Sequence, residues 1–164
     1  MDTITAGSTL ACYREITGRE ITPDRLIRLL GETALARGEG AELAPGSYRY
    51  AEAQGRAQLS MSVKKLEMPA YDPRGAYGMA LAYATSTRGA CHLRAYPIAH
   101  EILRKPVATD RFTFSGKARI IKISEDLNAV IDSLTACKLL FFAASLEEFA
   151  RAFLGVTGIP TTAQ

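Results

Sequence analysis

Paired cysteines are missing from this sequence. Cys12, Cys91 and Cys137 lie far apart, and without a C-x-x-C pair the chain alone draws no zinc or iron–sulfur nest. An odd count also excludes a complete set of internal disulfides. Histidine is scarce, with only His92 and His100 present. No apolar run approaches the ~20 residues that a bilayer-spanning helix needs, so no membrane partner is expected. An excess of one charge is absent as well. Twenty basic against 17 acidic side chains make a mixed surface, not a nucleic-acid footprint. The first residues lack the basic-then-apolar pattern of a signal peptide, and a cytoplasmic location is the expectation.

Nearly half of the 164 residues are apolar. That is enough for one folded domain, or for two small helical lobes at about 1–66 and 67–164. The pattern along the chain is helical. A first helix is expected over 9–16, with Ser8 as N-cap and Gly18 ending it. Thr22, Pro23 and Asp24 have the order of a helix start, and Leu26, Ile27, Leu29, Leu30 and Leu35 give that second helix an apolar face. Gly38 and Gly40 are its expected stop. A short helix over 45–54 follows, stopped by Gly55. Residues 60–66 alternate weakly and read as extended. Helices are then expected over 77–85, despite Gly78, over 97–103, and over 117–136. The last carries a stripe of Ile120, Ile121, Leu127, Val130, Ile131 and Leu134. Ser145 and Glu148 form a capping box for a final helix ending at Gly155. The fold class expected is all-α, an irregular multi-helix domain with little or no sheet.

The stretch 71–94 organises the rest. A Tyr-Asp-Pro-Arg-Gly turn opens it, a run of small residues over 76–85 follows, and Arg88, Cys91, His92 and Arg94 close it. Few large side chains intervene, so a backbone or a bulky ligand can approach closely. Polar groups at both ends suit the wall of a cofactor pocket. His92 is placed to act as an acid, a base or a hydrogen-bond donor. The plainer alternative is a histidine satisfied inside a core. For each cysteine the plainer alternative is a small buried apolar side chain.

This stretch resembles the tungsten-pterin aldehyde ferredoxin oxidoreductase family, whose members carry a similar Asp-Pro-Arg-Gly turn, a Tyr-Ala-Thr-Ser run and an Arg-Gly-Ala-Cys-His run. Asp2-Thr3-Ile4, Asp126-Leu127-Asn128-Ala129, Asp132-Ser133-Leu134, Cys137-Lys138 and a segment ending Val-Thr-Gly158 agree in order. The resemblance covers nearly the whole chain. It implies the helical, C-terminal part of such an enzyme. In that family a tungsten (or molybdenum) bis-pterin oxidises aldehydes to carboxylic acids. A 4Fe-4S cluster passes the electrons to ferredoxin or another acceptor. Carried over by position, His92 and Tyr71 are the catalytic candidates. Asp2 and Asp132 are the pterin-holding candidates, and Cys137 is one cluster ligand. Asp2 corresponds to the end of an Asp-x-x-Gly-Leu-Asp motif. The run from Asp132 to Cys137 corresponds to Asp-x-x-Gly-Leu-Cys, with Thr135 in place of glycine and Ala136 in place of leucine.

The resemblance also implies that the remaining cluster cysteines and a β-rich domain lie upstream. The isolated chain is therefore expected to hold neither cofactor and to be inactive without an upstream domain or subunit. An oligomeric assembly is left open. The competing reading is a non-catalytic helical relic or partner-binding scaffold. If the carried-over site is real, Tyr71 and His92 should face one cavity, and the end of the longest helix should approach it.

Overall fold

A computed structural model describes residues 1–163. Eight α-helices, three short 3-10 segments and a single two-stranded ribbon make up the regular structure among them. The expected all-α class holds. The chain folds as two compact units, one of Met1–Asp72 with Tyr83–His92, the other of Pro73–Ala82 with 93–164.

The first unit contains α1 (Thr3–Thr17), α2 (Pro23–Ala34), α3 (Gly40–Leu43) and α4 (Ser47–Ala53). Helix α1 starts six residues earlier than its expected first residue, Thr9, because Asp2 rather than Ser8 is the cap. The Asp2 carboxylate accepts from the Thr5 amide at 2.7 Å. Ser8 lies within the helix and donates its hydroxyl to the Met68 carbonyl instead. Gly18 ends α1 in the left-handed conformation, as expected. Thr22 caps α2 and Pro23 opens it, also as expected. The helix stops before its two glycines, however. Gly40 opens α3, and a Cβ there would lie 2.2 Å from the backbone of Glu32 and Thr33, so its missing side chain lets α3 lie against α2. Of the expected apolar face only Leu29 is fully buried, while Leu26 and Ile27 on α2 and Leu35 just after it are exposed. The core joins Leu10, Cys12 and Tyr13 of α1 to Leu29, Leu43, Tyr50 and Ala51.

The stretch 60–66, expected to be extended, instead turns back on itself, with strands β1 (Ser62–Val63) and β2 (Leu66–Glu67) paired antiparallel and β2 reaching one residue beyond it. Lys64 and Lys65 between them both have positive φ, the backbone of a type I′ turn. The Glu67 carboxylate accepts from the Ser47 amide at 2.7 Å and from the Thr5 hydroxyl at 3.3 Å, tying the ribbon to α4 and α1.

Helix α5 (Tyr77–Thr85) belongs to the second unit through Ala82 and to the first from Tyr83. The second unit then has α6 (Ile98–Glu101), α7 (Lys117–Ser133), a 3-10 turn at Lys138–Phe142 and α8 (Leu146–Thr157). Helix α6 stops two residues before Leu103, and α7 stops three before Ala136, where Thr135 has a φ of 54°. The capping box of Ser145 and Glu148 is present, but α8 runs past Gly155 to a left-handed Gly158. The buried face of α7 is Lys117, Ile121, Ser124, Asn128 and Ile131. Ile120, Leu127, Val130 and Leu134 of the expected stripe are only half-buried. Three of the five buried positions are polar, so hydrophobicity alone misplaced the stripe. No helix of the described residues is long and apolar enough to cross a membrane.

Candidate functional site

In the first unit the ribbon shapes the loop that carries His92. The Lys64 ammonium donates to the Ser86 carbonyl at 2.6 Å, and Ser86 is fully buried. Gly89 sits against Leu66 so closely that a Cβ would meet its side chain at 2.8 Å. These contacts hold residues 86–89, and three residues on is His92. From the other end, Tyr83 is buried and donates its hydroxyl to the Tyr71 carbonyl at 3.1 Å. Burial pushes the Tyr83 phenol far above its ordinary pKa, so it remains a donor. The result places the Tyr71 and His92 rings 5.7 Å apart between centroids, tilted by 42°. Tyr71 is exposed and His92 half-buried. Burial lowers the His92 pKa below its ordinary value, which favours neutral imidazole, the form able to accept a proton. His92 is therefore not sealed in a core.

Asp2 uses one carboxylate oxygen for the α1 cap, and that amide hydrogen bond is the main cause of its lowered pKa. Cys12 is buried, and burial raises its thiol pKa, so it is a packing residue and a poor ligand.

In the second unit Asp132, near the end of α7, is held from both sides. Arg94 donates to one oxygen at 3.2 Å and Lys138 to the other at 2.9 Å. Cys137 is exposed, so the plainer alternative of a small buried side chain does not hold for it. The chain leaves α7 through the left-handed Thr135 and turns the cysteine outward, in extended backbone just before Lys138–Phe142.

The same unit contains a buried ion pair that sequence reasoning missed. Lys117 and Glu101 meet at 2.6 Å with both side chains almost wholly buried. Glu101 also accepts from the Gly78 amide at 2.7 Å and the Met79 amide at 3.2 Å, in the first turn of α5. A Cβ on Gly78 would lie 2.8 Å from the Glu101 carboxylate. The close approach expected of the small-residue run exists here, and what approaches is a glutamate. The only sequence signal was a glycine in a helical pattern.

For an iron–sulfur cluster the chain offers one exposed thiol at Cys137, and a cubane needs four ligands. Among the described residues no group of three or more His, Cys, Asp or Glu side chains could hold a metal ion. Cys137 fits as one ligand of a shared set. The Asp2 and Asp132 carboxylates keep lone pairs beyond the bonds described, so both fit as acceptors for ring N–H groups.

A family model described as aldehyde ferredoxin oxidoreductase, domains 2 and 3, matches residues 1–164. The tungsten-containing aldehyde ferredoxin oxidoreductase of Pyrococcus furiosus is 39% identical over 165 residues, covering 91% of this chain and 27% of that protein. Its counterpart in Thermococcus kodakarensis is 38% identical with the same coverage. That of Pyrococcus horikoshii is 38% identical over 167 residues, 28% of its length. The chain spans little more than a quarter of the length of these curated relatives.

Proposed function

The chain belongs to the aldehyde ferredoxin oxidoreductase family, and on that premise we propose that it contributes the helical part of an aldehyde-oxidising centre. The observation that carries the reading is the Tyr71–His92 ring pair, which the fold places together at an accessible position. When bound, a tungsten (or molybdenum) bis-pterin supplies the oxidation of aldehyde to carboxylic acid, and a 4Fe-4S cluster takes the electrons on to ferredoxin or another acceptor.

The residues of this chain have separate tasks. His92 accepts a proton at a ring nitrogen as aldehyde and water become carboxylate, and its partial burial keeps it neutral and ready. Tyr71 presents its ring beside the imidazole and positions substrate. Tyr83 fixes the Tyr71 backbone. Asp2 and Asp132 accept hydrogen bonds from pterin, Asp132 being oriented by Arg94 and Lys138. Cys137 supplies one thiolate to the cluster. Activity on this reading requires a further domain or subunit, in a cytoplasmic setting.

The test is co-expression with a polypeptide covering the rest of a relative's length, followed by metal, pterin and activity analysis. His92→Ala should reduce aldehyde oxidation and leave pterin and cluster content intact. Loss of the cofactors in that variant would assign His92 a structural role. The scaffold reading draws on exposed apolar side chains such as Phe114, 82% exposed, and Val156, 88% exposed. It predicts a stable complex that carries no tungsten.

A further inference from the structure

We propose that the second unit carries an oxyanion-binding pocket, independent of the tungsten reading, for a small carboxylate or phosphate with an apolar body. The pocket is an open cavity of about 540 Å³ beside α6 and the loop after it, lined among others by Arg104, Thr109, Arg111 and Phe112. That volume lies in the range of small-ligand sites, roughly 300–1,000 Å³.

The charge arrangement selects an anion. Arg104 and Arg111 both line the cavity, and among the described residues neither guanidinium has an acidic partner. Glu101, itself part of the lining, is already neutralised by the buried Lys117. Asp110 turns one carboxylate oxygen back onto the Phe112 amide at 2.9 Å. With Lys117, which is bonded to three lining residues, three cations stand against the two anions Glu101 and Asp110, an excess of one positive charge. Thr109 adds a directed donor. Its hydroxyl oxygen accepts from the Lys117 ammonium at 3.3 Å, which leaves its own proton to point elsewhere. Lys117 is buried and held by three partners, so that oxygen is fixed in place.

The apolar body follows from the other wall. The Phe112 ring lies under the Arg111 guanidinium, 4.7 Å from its centroid. An oxyanion paired with that guanidinium would set any attached apolar group against the ring. Arginine is suited to the task because its planar fork matches carboxylate and phosphate oxygens in pairs. Arg104 also has a φ of 60°, a conformation uncommon for a side chain of its size. Such strain is found at ligand clamps.

The experiment titrates the full chain with inorganic phosphate, acetate and benzoate at constant ionic strength, with chloride as the reference salt. Binding is read from amide chemical shifts. Saturable shifts confined to residues 101–112 are expected for phosphate and for both carboxylates, with benzoate tighter than acetate. Arg104→Asn tolerates the backbone conformation, Arg111→Gln keeps polarity and removes the charge, and each should weaken binding about tenfold or more, the loss of one charge-assisted contact. Phe112→Ala should remove the benzoate preference and leave phosphate binding unchanged. Circular dichroism of each variant confirms that the fold is retained. Shifts no larger than those with chloride, or binding untouched by both arginine changes, would overturn the proposal.

Discussion

Glu101→Gln should be among the most damaging single substitutions in the second unit. The change keeps shape and removes one charge. In the native unit the Glu101 carboxylate accepts from the Lys117 ammonium at 2.6 Å and from two amides in the first turn of α5. Lys117 also donates to the Asp110 carbonyl at 2.8 Å and to Thr109. Both side chains are at most 3% exposed, so solvent screens neither. A glutamine there leaves the ammonium uncompensated, and its own NH2 group must face either that cation or an α5 amide, donor against donor. Breaking a buried pair from one side costs about 3–5 kcal/mol. That is a large share of a domain stability of roughly 5–15 kcal/mol. Lys117→Met should cost less, because two amides and the positive end of α5 still support the carboxylate. The double variant should cost less than the sum, with a coupling of about 1–3 kcal/mol. Urea unfolding followed by circular dichroism, with slopes held against wild type, measures each value. A loss under about 1 kcal/mol for Glu101→Gln, or strict additivity, would refute the argument that the pair is a closed, unscreened unit.

Three smaller effects follow from the same geometry. Gly78→Ala should destabilise by about 0.5–2 kcal/mol in the same assay, since a charge-assisted bond worth about 1.5–3 kcal/mol is displaced and helix propensity returns only about 1 kcal/mol. The Glu39 carboxylate accepts from the Tyr13 hydroxyl and from Arg25, Arg19 and Arg28, and these contacts, the Tyr13 bond foremost, lower its pKa. A lowered folded pKa gives stability that is present above the ordinary value of 4.5 and fades as pH falls below it, so Glu39→Gln should flatten the acid limb of a stability–pH curve. For His92 the shift is also downward, so unfolded chains bind the proton first. Its contribution should be complete above the ordinary value of 6.5 and decline as pH drops towards 5, and the decline should shrink in His92→Gln when urea midpoints are compared at both pH values.

The helix class was readable because caps are local. Thr22 with Pro23, Gly18, and Ser145 with Glu148 each satisfy backbone groups within one turn, and each lies where the sequence placed it. Asp2 stands out in the sequence only as the end of a motif, yet in the fold it caps α1. Burial was harder to read. Leu35 and Ile27 look like a core face, yet they are exposed, while Asn128 and Lys117 are buried. Which face of a helix is covered depends on elements distant in sequence, and a single chain's periodicity does not carry that. The pairing of Tyr71 with His92 came from resemblance alone. Its physical supports, the Tyr83 hydroxyl and the seat of Gly89 on Leu66, join residues 12 and 23 positions apart and leave no local pattern.

Thr135 links the departure from the family's motif to a physical cause. The family's Asp-x-x-Gly-Leu-Cys pattern has glycine at this position, and here the backbone has a φ of 54°, within the left-handed region. A residue with a Cβ loses roughly 1–2 kcal/mol by sitting there, and a β-branched one is a true outlier. A glycine here would meet the backbone demand of the turn by which this chain leaves α7. The turn is made despite the threonine because the Thr135 and Ala136 amides still find the carbonyls of Asp132 and Ile131. Asp132 meanwhile keeps its orientation through Arg94 and Lys138, and Cys137 is still turned outward. The substitution thus acts on stability first. Thr135→Gly should stabilise the chain by about 1 kcal/mol, raising a thermal midpoint by about 2–4 °C for a chain of this size. The exposure of Cys137 to a thiol reagent should stay the same. A variant that melts lower, or that reacts at a different rate, would mean that Thr135 holds the turn by its side chain and that the glycine serves another purpose.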